Sequence, residues 1–238
     1  MFNKNKIATV VAECLGTGLL VLVVLSVQRS TIGVPFFVAL AAGLATVVLV
    51  VALGRVTAVH LNPAVTVALW TVRKVATTRA IALVAAQFLG AWLAFFLYRY
   101  LVNQTLQPVG GTYSSRVLVA EAVGGAVLGI GWAAATYHNF TVNSKAALVS
   151  ASYVFAIVVA SSASIGLINP AVALGARAWE WGTYVLGPVL GTILGVNLYG
   201  LLFAPTVATA KVAKSTATPV AAKTTKVVSK KTTSSKKR

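Results

Sequence analysis

Apolar residues gather in long runs along this chain, separated by short polar connections. Six runs, at about 7–27, 34–53, 80–100, 117–137, 146–165 and 182–204, reach the length of roughly 20 residues that an α-helix needs to cross a hydrocarbon core of about 30 Å. Two others, at about 62–72 and 169–179, would form helices of only ~16 Å, half that thickness. The pattern predicts an all-α membrane protein with six transmembrane helices and two half-spans. An even number of crossings brings both ends of the spanning region to one face.

The runs are not independent. Ala12-Glu13-Cys14-Leu15-Gly16 returns as Ala120-Glu121-Ala122-Val123-Gly124, and Leu61-Asn62-Pro63-Ala64-Val65 returns as Ile168-Asn169-Pro170-Ala171-Val172. A third pair joins Ala86-Gln87-Phe88-Leu89-Gly90-Ala91 to Gly187-Pro188-Val189-Leu190-Gly191-Thr192. The chain is two copies of one unit, at about 7–100 and 117–204. Three full crossings per copy is an odd number, so the second copy enters from the opposite face and the repeat is inverted. The half-spans then start from opposite faces and meet at mid-membrane.

Each half-span opens on asparagine followed by proline, Asn62-Pro63 and Asn169-Pro170. Asparagine is a favoured N-cap, and proline suits the first helical position, where its missing N–H costs no hydrogen bond. Both short helices are expected to begin here. A capping asparagine spends its carbonyl oxygen on the first turn, which leaves its NH2 to donate outward. Each helix start also carries about half a positive charge. Two donors on a positive focus at mid-membrane repel cations and make a passing water present its oxygen. A single Asn-Pro-Ala is a weak signal, but here it occurs twice at matching repeat positions.

These residues, His60-Leu61-Asn62-Pro63-Ala64-Val65-Thr66, the Ala-Glu-x-x-Gly openings, Ala-Gln-x-x-Gly-Ala and Gly-Pro-x-x-Gly, resemble the aquaporin or major intrinsic protein family over about residues 7–204. The resemblance implies six membrane helices with two re-entrant half-helices, a pore lined at Asn62, Pro63, Ala64, Asn169, Pro170 and Ala171, and a homotetramer. It implies a passive channel for water or other small uncharged solutes that excludes ions and protons, with no cofactor. The four positions that set the outer constriction in the family fall on Ala42, Ile157, Gly166 and Val172. Water-selective relatives usually carry an aromatic, a histidine, a small residue and an arginine there. With Val172 in place of the arginine, the neck is expected to be wide and apolar, admitting solutes up to the size of glycerol. Arg177 lies five residues further on, displaced by ~7.5 Å along the helix, and is expected to cap the C-terminal end of the half-helix near Glu180. Trp179, Trp181 and Tyr184 suit an interfacial aromatic belt.

Two of the chain's three acids, Glu13 and Glu121, fall inside spans, where an unpaired carboxylate costs several kcal/mol. One per repeat suits a structural role, and the resemblance implies that they brace the re-entrant loops; a proton relay is the alternative. The chain carries 20 bases against 3 acids and a mean hydropathy of +0.87, which changes the picture only at the C-terminal end. Nine bases lie in the last 28 residues. The segment 206–238 lacks periodicity and acids and is expected to be a disordered basic tail, drawn to anionic lipids rather than nucleic acid. It follows a channel domain at 1–205. Lys4, Lys6, Arg55, Arg73, Lys74, Arg79 and Lys145 collect on one side, so both termini are expected to face the cytoplasm in a multi-pass protein of the cell membrane. The lone Cys14 excludes an intramolecular disulfide.

His60 and His138 are expected near the cytoplasmic ends without partners; for His60 a fixed neutral ring bonded to nearby backbone is preferred over a pH-sensitive group facing a vestibule. No spaced cluster of metal ligands, phosphate loop or nucleophile with its base is present in the sequence, which argues against an enzyme. The competing classes are a secondary transporter and a closed-pore structural membrane protein on the same fold.

Overall fold

The computed structural model describes residues 4–205; the basic segment 206–238 lies outside them. Eight α-helices follow one another: α1 (Lys4–Gln28), α2 (Pro35–Leu53), α3 (Pro63–Thr71), α4 (Thr77–Val102), α5 (Ser115–Tyr137), α6 (Val142–Ala160), α7 (Pro170–Ala176) and α8 (Gly187–Leu202), the last opened by a π-helical turn, Gly182–Leu186. Among the described residues six segments are long and apolar enough to cross a membrane. The two short helices, α3 and α7, begin one residue after Asn62 and Asn169. Their partners cross the repeat boundary: α3 packs on α8 as well as α4, and α7 packs on α4 and α1. Each half-helix is thus held partly by the other copy.

Within each repeat the first and third long helices pack as a pair, α1 with α4 and α5 with α8. With little hydrophobic drive between helices in lipid, close backbone approach supplies the attraction. A β-carbon at Gly90 would lie 2.0 Å from the carbonyl oxygen of Cys14, and one at Gly191 would lie 1.8 Å from that of Ala122. Cys14 and Ala122 are equivalent in the repeat, as are Gly90 and Gly191, so the same contact is built twice. Cys14 is half-buried beside it.

Two element ends differ from the hydrophobic pattern. The fifth span stops at Ala160 rather than near 165, because Ser161 to Ser164 form a turn, with Ser161 N–H bonded to Ile157 C=O and Ser164 N–H to Ala160 C=O, that leads into the loop before α7. The second half-helix has seven residues and ends at Arg177, whose φ of 62° leaves the right-handed region. The π turn before α8 sits just ahead of Pro188, which has no N–H to give an α-helical turn.

Candidate functional site

The loops that lead into α3 and α7 have an unusual backbone. Val59 and Leu61 in one, and Gly166 and Ile168 in the other, have positive φ of 57°, 54°, 68° and 41°. For branched and bulky residues this conformation is costly and survives only where surroundings enforce it. Two fully buried glutamates, Glu13 and Glu121, bond to these loops. Glu13 Oε1 accepts from His60 N–H at 2.8 Å and the Thr57 hydroxyl at 3.1 Å, while Oε2 accepts from Leu61 N–H at 2.9 Å and Gln87 Nε2 at 2.8 Å. Glu121 Oε1 accepts from Leu167 N–H at 3.0 Å and from the Ser164 hydroxyl, and Oε2 from Ile168 N–H at 2.6 Å. Each in-membrane carboxylate therefore terminates on the backbone of its own re-entrant loop. The match stops at Gln87, whose counterpart in the second repeat is Pro188.

The asparagines that follow these loops act as caps. Asn62 Oδ1 accepts from Ala64 N–H at 2.8 Å and Asn169 Oδ1 from Ala171 N–H at 3.0 Å. Their NH2 groups cross over. Asn62 Nδ2 donates to the Ile168 carbonyl at 3.1 Å, and Asn169 Nδ2 donates to the Leu61 carbonyl at 2.9 Å. Both also donate to one atom, the hydroxyl oxygen of Tyr153 on α6, at 3.0 Å and 2.8 Å. The amide donors, expected to face the lumen, instead give both protons of each amide to protein oxygens. Pro63, Ala64, Pro170 and Ala171 are buried around this point.

Of the four positions expected at the constriction, Ala42, Ile157 and Val172 are buried members of one apolar core. Gly166 adjoins Ile157: a β-carbon on it would stand 3.0 Å from Ile157 Cγ2. The sequence leaves no cation at Val172, and the nearby arginines are committed elsewhere. Arg177 donates to the Leu106 carbonyl and lies 5.9 Å over the Trp179 ring. It does not pair with Glu180, whose carboxylate accepts from Thr183 N–H at the start of the last span. The side chain that caps the end of α7 is Arg29, which donates to the Ala176 carbonyl at 3.2 Å and to Gln107 C=O at 2.8 Å. Trp179 and Trp181 are exposed, as an interfacial belt requires, whereas Tyr184 is buried against Gly110 and does not belong to it.

Both histidines have partners. His60 is buried, with Nδ1 3.1 Å from the Thr66 hydroxyl and its ring edge-on to Trp132 at 5.4 Å. Its bond is to a side chain rather than to the backbone. Lys145 Nζ sits 5.2 Å over the other partner, Trp132. His138 Nε2 lies 2.8 Å from the Tyr199 hydroxyl. Among the described residues no group of His, Cys, Asp and Glu is arranged to hold a metal.

Sequence reasoning missed Tyr153, Trp132 and Arg29. For Tyr153 a signal existed: it precedes Ile157 by four residues, one helical turn, and so shares the face of α6 that carries a constriction position.

Comparison with known proteins bears on this arrangement. The family model Major intrinsic protein matches residues 2–199. The chain is 30% identical over 191 residues to Aquaporin AqpM of Methanothermobacter thermautotrophicus, covering 69% of this chain and 76% of the relative. It is also 30% identical over 216 residues to Aquaporin NIP1-1 of Oryza sativa subsp. japonica, covering 84% and 76%. Among solved structures, the aquaglyceroporin from Plasmodium falciparum superposes with a TM-score of 0.65 at 16% identity, over 88% of this chain and 99% of that one.

Proposed function

The chain belongs to the major intrinsic protein family, and from that premise we propose that its conduction path passes between Asn62 and Asn169 and leaves through a neck formed by Ala42, Ile157, Gly166 and Val172. It is a multi-pass membrane protein and a passive channel for water and small solutes. The observation that carries the proposed path is the convergence of two asparagines, 107 positions apart in sequence, on a single atom. That convergence supports a central checkpoint where a neutral guest can accept hydrogen bonds while helix dipoles of like sign disfavour cations and protons.

The proposal assigns Glu13 and Glu121 to bracing the loops. Glu13 accepts from four donors and Glu121 from three, mostly loop backbone, which favours bracing over a coupling-ion or proton site and so over a secondary transporter. The neck supports relaxed size selection: Ala, Ile, Gly and Val offer neither a fixed cation nor a bulky ring. We extend the reading to a channel unit at 1–205 followed by a basic tail at 206–238 that binds anionic lipid, to cytoplasmic termini in the cell membrane, and to a homotetramer.

The neck is tested by Val172→Arg in reconstituted vesicles, with stopped-flow light scattering for water, glycerol and urea. The glycerol-to-water permeability ratio is expected to fall about tenfold, equivalent to ~1.4 kcal/mol of added barrier for the larger solute. An unchanged ratio rules out Val172 as a constriction residue.

A further inference from the structure

The checkpoint between the half-helices is occupied, and its occupant belongs to the chain. An asparagine NH2 has two protons to give. Asn62 gives one to Ile168 C=O and one to Tyr153; Asn169 gives one to Leu61 C=O and one to Tyr153. Neither amide keeps a donor for a permeating molecule. The two contacts with Tyr153, 3.0 Å and 2.8 Å, place the amide nitrogens within 5.8 Å of each other. A gap of that width holds one bridging oxygen, and the Tyr153 hydroxyl is that oxygen.

A tyrosine packed into the wall of a lumen would reach one asparagine and leave the other exposed. Tyr153 reaches both, and it is only 2% exposed. It also projects from the face of α6 that places Ile157 beside Gly166, one turn away. Resting on the channel reading above, we infer that Tyr153 is a built-in plug: its hydroxyl stands in for the permeant, and conduction requires the side chain to rotate out from between the asparagines.

The plug is held by bonds that a solute can replace. Water and alcohols present the same acceptor oxygen. The crossed bonds to Ile168 and Leu61 carbonyls keep both amides oriented, so the protons released by Tyr153 still aim at the vacated point. Two asparagine bonds hold the hydroxyl in place, and the proposed opening is a rotamer exchange of this one side chain. The open fraction multiplies permeability for every solute, whereas the neck sets the ratio between solutes. Plug and neck are therefore separable.

The experiment compares wild type, Tyr153→Val and Tyr153→Phe at equal protein density in phosphatidylcholine–phosphatidylglycerol vesicles, with monodispersity in detergent as the folding check. Osmotic water permeability per protein is expected to rise about tenfold or more in Tyr153→Val. Tyr153→Phe is expected to fall between, since the ring remains but both asparagine bonds are gone. Equal permeability in all three, well above protein-free vesicles, overturns the plug and leaves the channel reading standing. Permeability at the protein-free level in all three, with the protein folded, overturns both. If Tyr153→Val fails the folding check, Tyr153→Phe decides alone: a rise above wild type supports the plug, and no rise overturns it.

Discussion

Replacing Gly191 with valine is expected to abolish most recovery of folded protein, and Gly90→Val should do the same from the other repeat. Glycine is required here by distance. The first carbon of any side chain at Gly191 would lie 1.8 Å from the Ala122 carbonyl oxygen, and at Gly90 2.0 Å from that of Cys14. These obstacles are backbone atoms of packed membrane helices, which cannot swing aside as the tip of a side chain can. Overpacking typically costs about 1–3 kcal/mol and occasionally more; a clash with main chain belongs at or above the upper end. The loss should also reach the pore, because α3 rests on α8 and α7 on α4. Yield of the monodisperse peak after detergent extraction measures the effect. Gly111→Ala is the control, since a β-carbon there meets nothing within 4 Å. Equal yields for Gly191→Val and Gly111→Ala would refute the packing argument.

The second large effect is expected at Glu121. Its carboxylate, fully buried, takes protons from Leu167 N–H, Ile168 N–H and the Ser164 hydroxyl. In Glu121→Gln one oxygen becomes an NH2 that confronts a backbone donor, so the charge disappears and at least one N–H is orphaned. Each orphaned buried donor costs about 1–3 kcal/mol, and Ile168, at φ 41°, loses the restraint that holds it in a strained conformation. For a chain of this size the apparent melting temperature should fall by roughly 10 °C, at about 2–4 °C per kcal/mol. Glu121→Ala should be worse. Water permeability should fall alongside, since Ile168 C=O orients the Asn62 amide. A Glu121→Gln protein that melts with wild type would show that the glutamate is not the brace.

The six spans were readable because length and lack of charge are enough to specify a crossing, and the half-helices because Asn-Pro marks a capped start at Asn62 and Asn169 alike. The repetition of Glu13 and Glu121 suggested a structural role, and their hydrogen bonds to loop backbone are what the structure adds. What escaped reading depends on contacts rather than pattern. The helix ends at Ala160, but Ala163 and Ile165 extend the apolar pattern past the serine turn, and Leu167 and Ile168 beyond it are apolar because that loop is buried in protein. Arg177 is the C-cap residue of α7 as expected, but through its backbone N–H; its side chain and that of Arg29 could not be placed because their partners, Leu106, Gln107 and Ala176, lie 71, 78 and 147 residues away in sequence. Tyr184 looked interfacial since an aromatic near a span end usually is, yet Gly110 makes room to bury it. Tyr153 was hidden most thoroughly. Tyrosine within a span is unremarkable by composition; its spacing from Ile157 gives its face, but only the structure shows that its hydroxyl meets both asparagines.

A thiol placed at Val172 tests the proposed path most directly. With Cys14→Ser to remove the native thiol, Val172→Cys is reconstituted with and without Tyr153→Val, and osmotic water flux is recorded before and after labelling by a bulky methanethiosulfonate reagent. If the path runs between the half-helices and out past Val172, labelling drives flux toward the protein-free level in both backgrounds and leaves the Cys14→Ser protein lacking the new thiol unaffected. Complete labelling, verified by mass, with flux unchanged would mean that water crosses elsewhere.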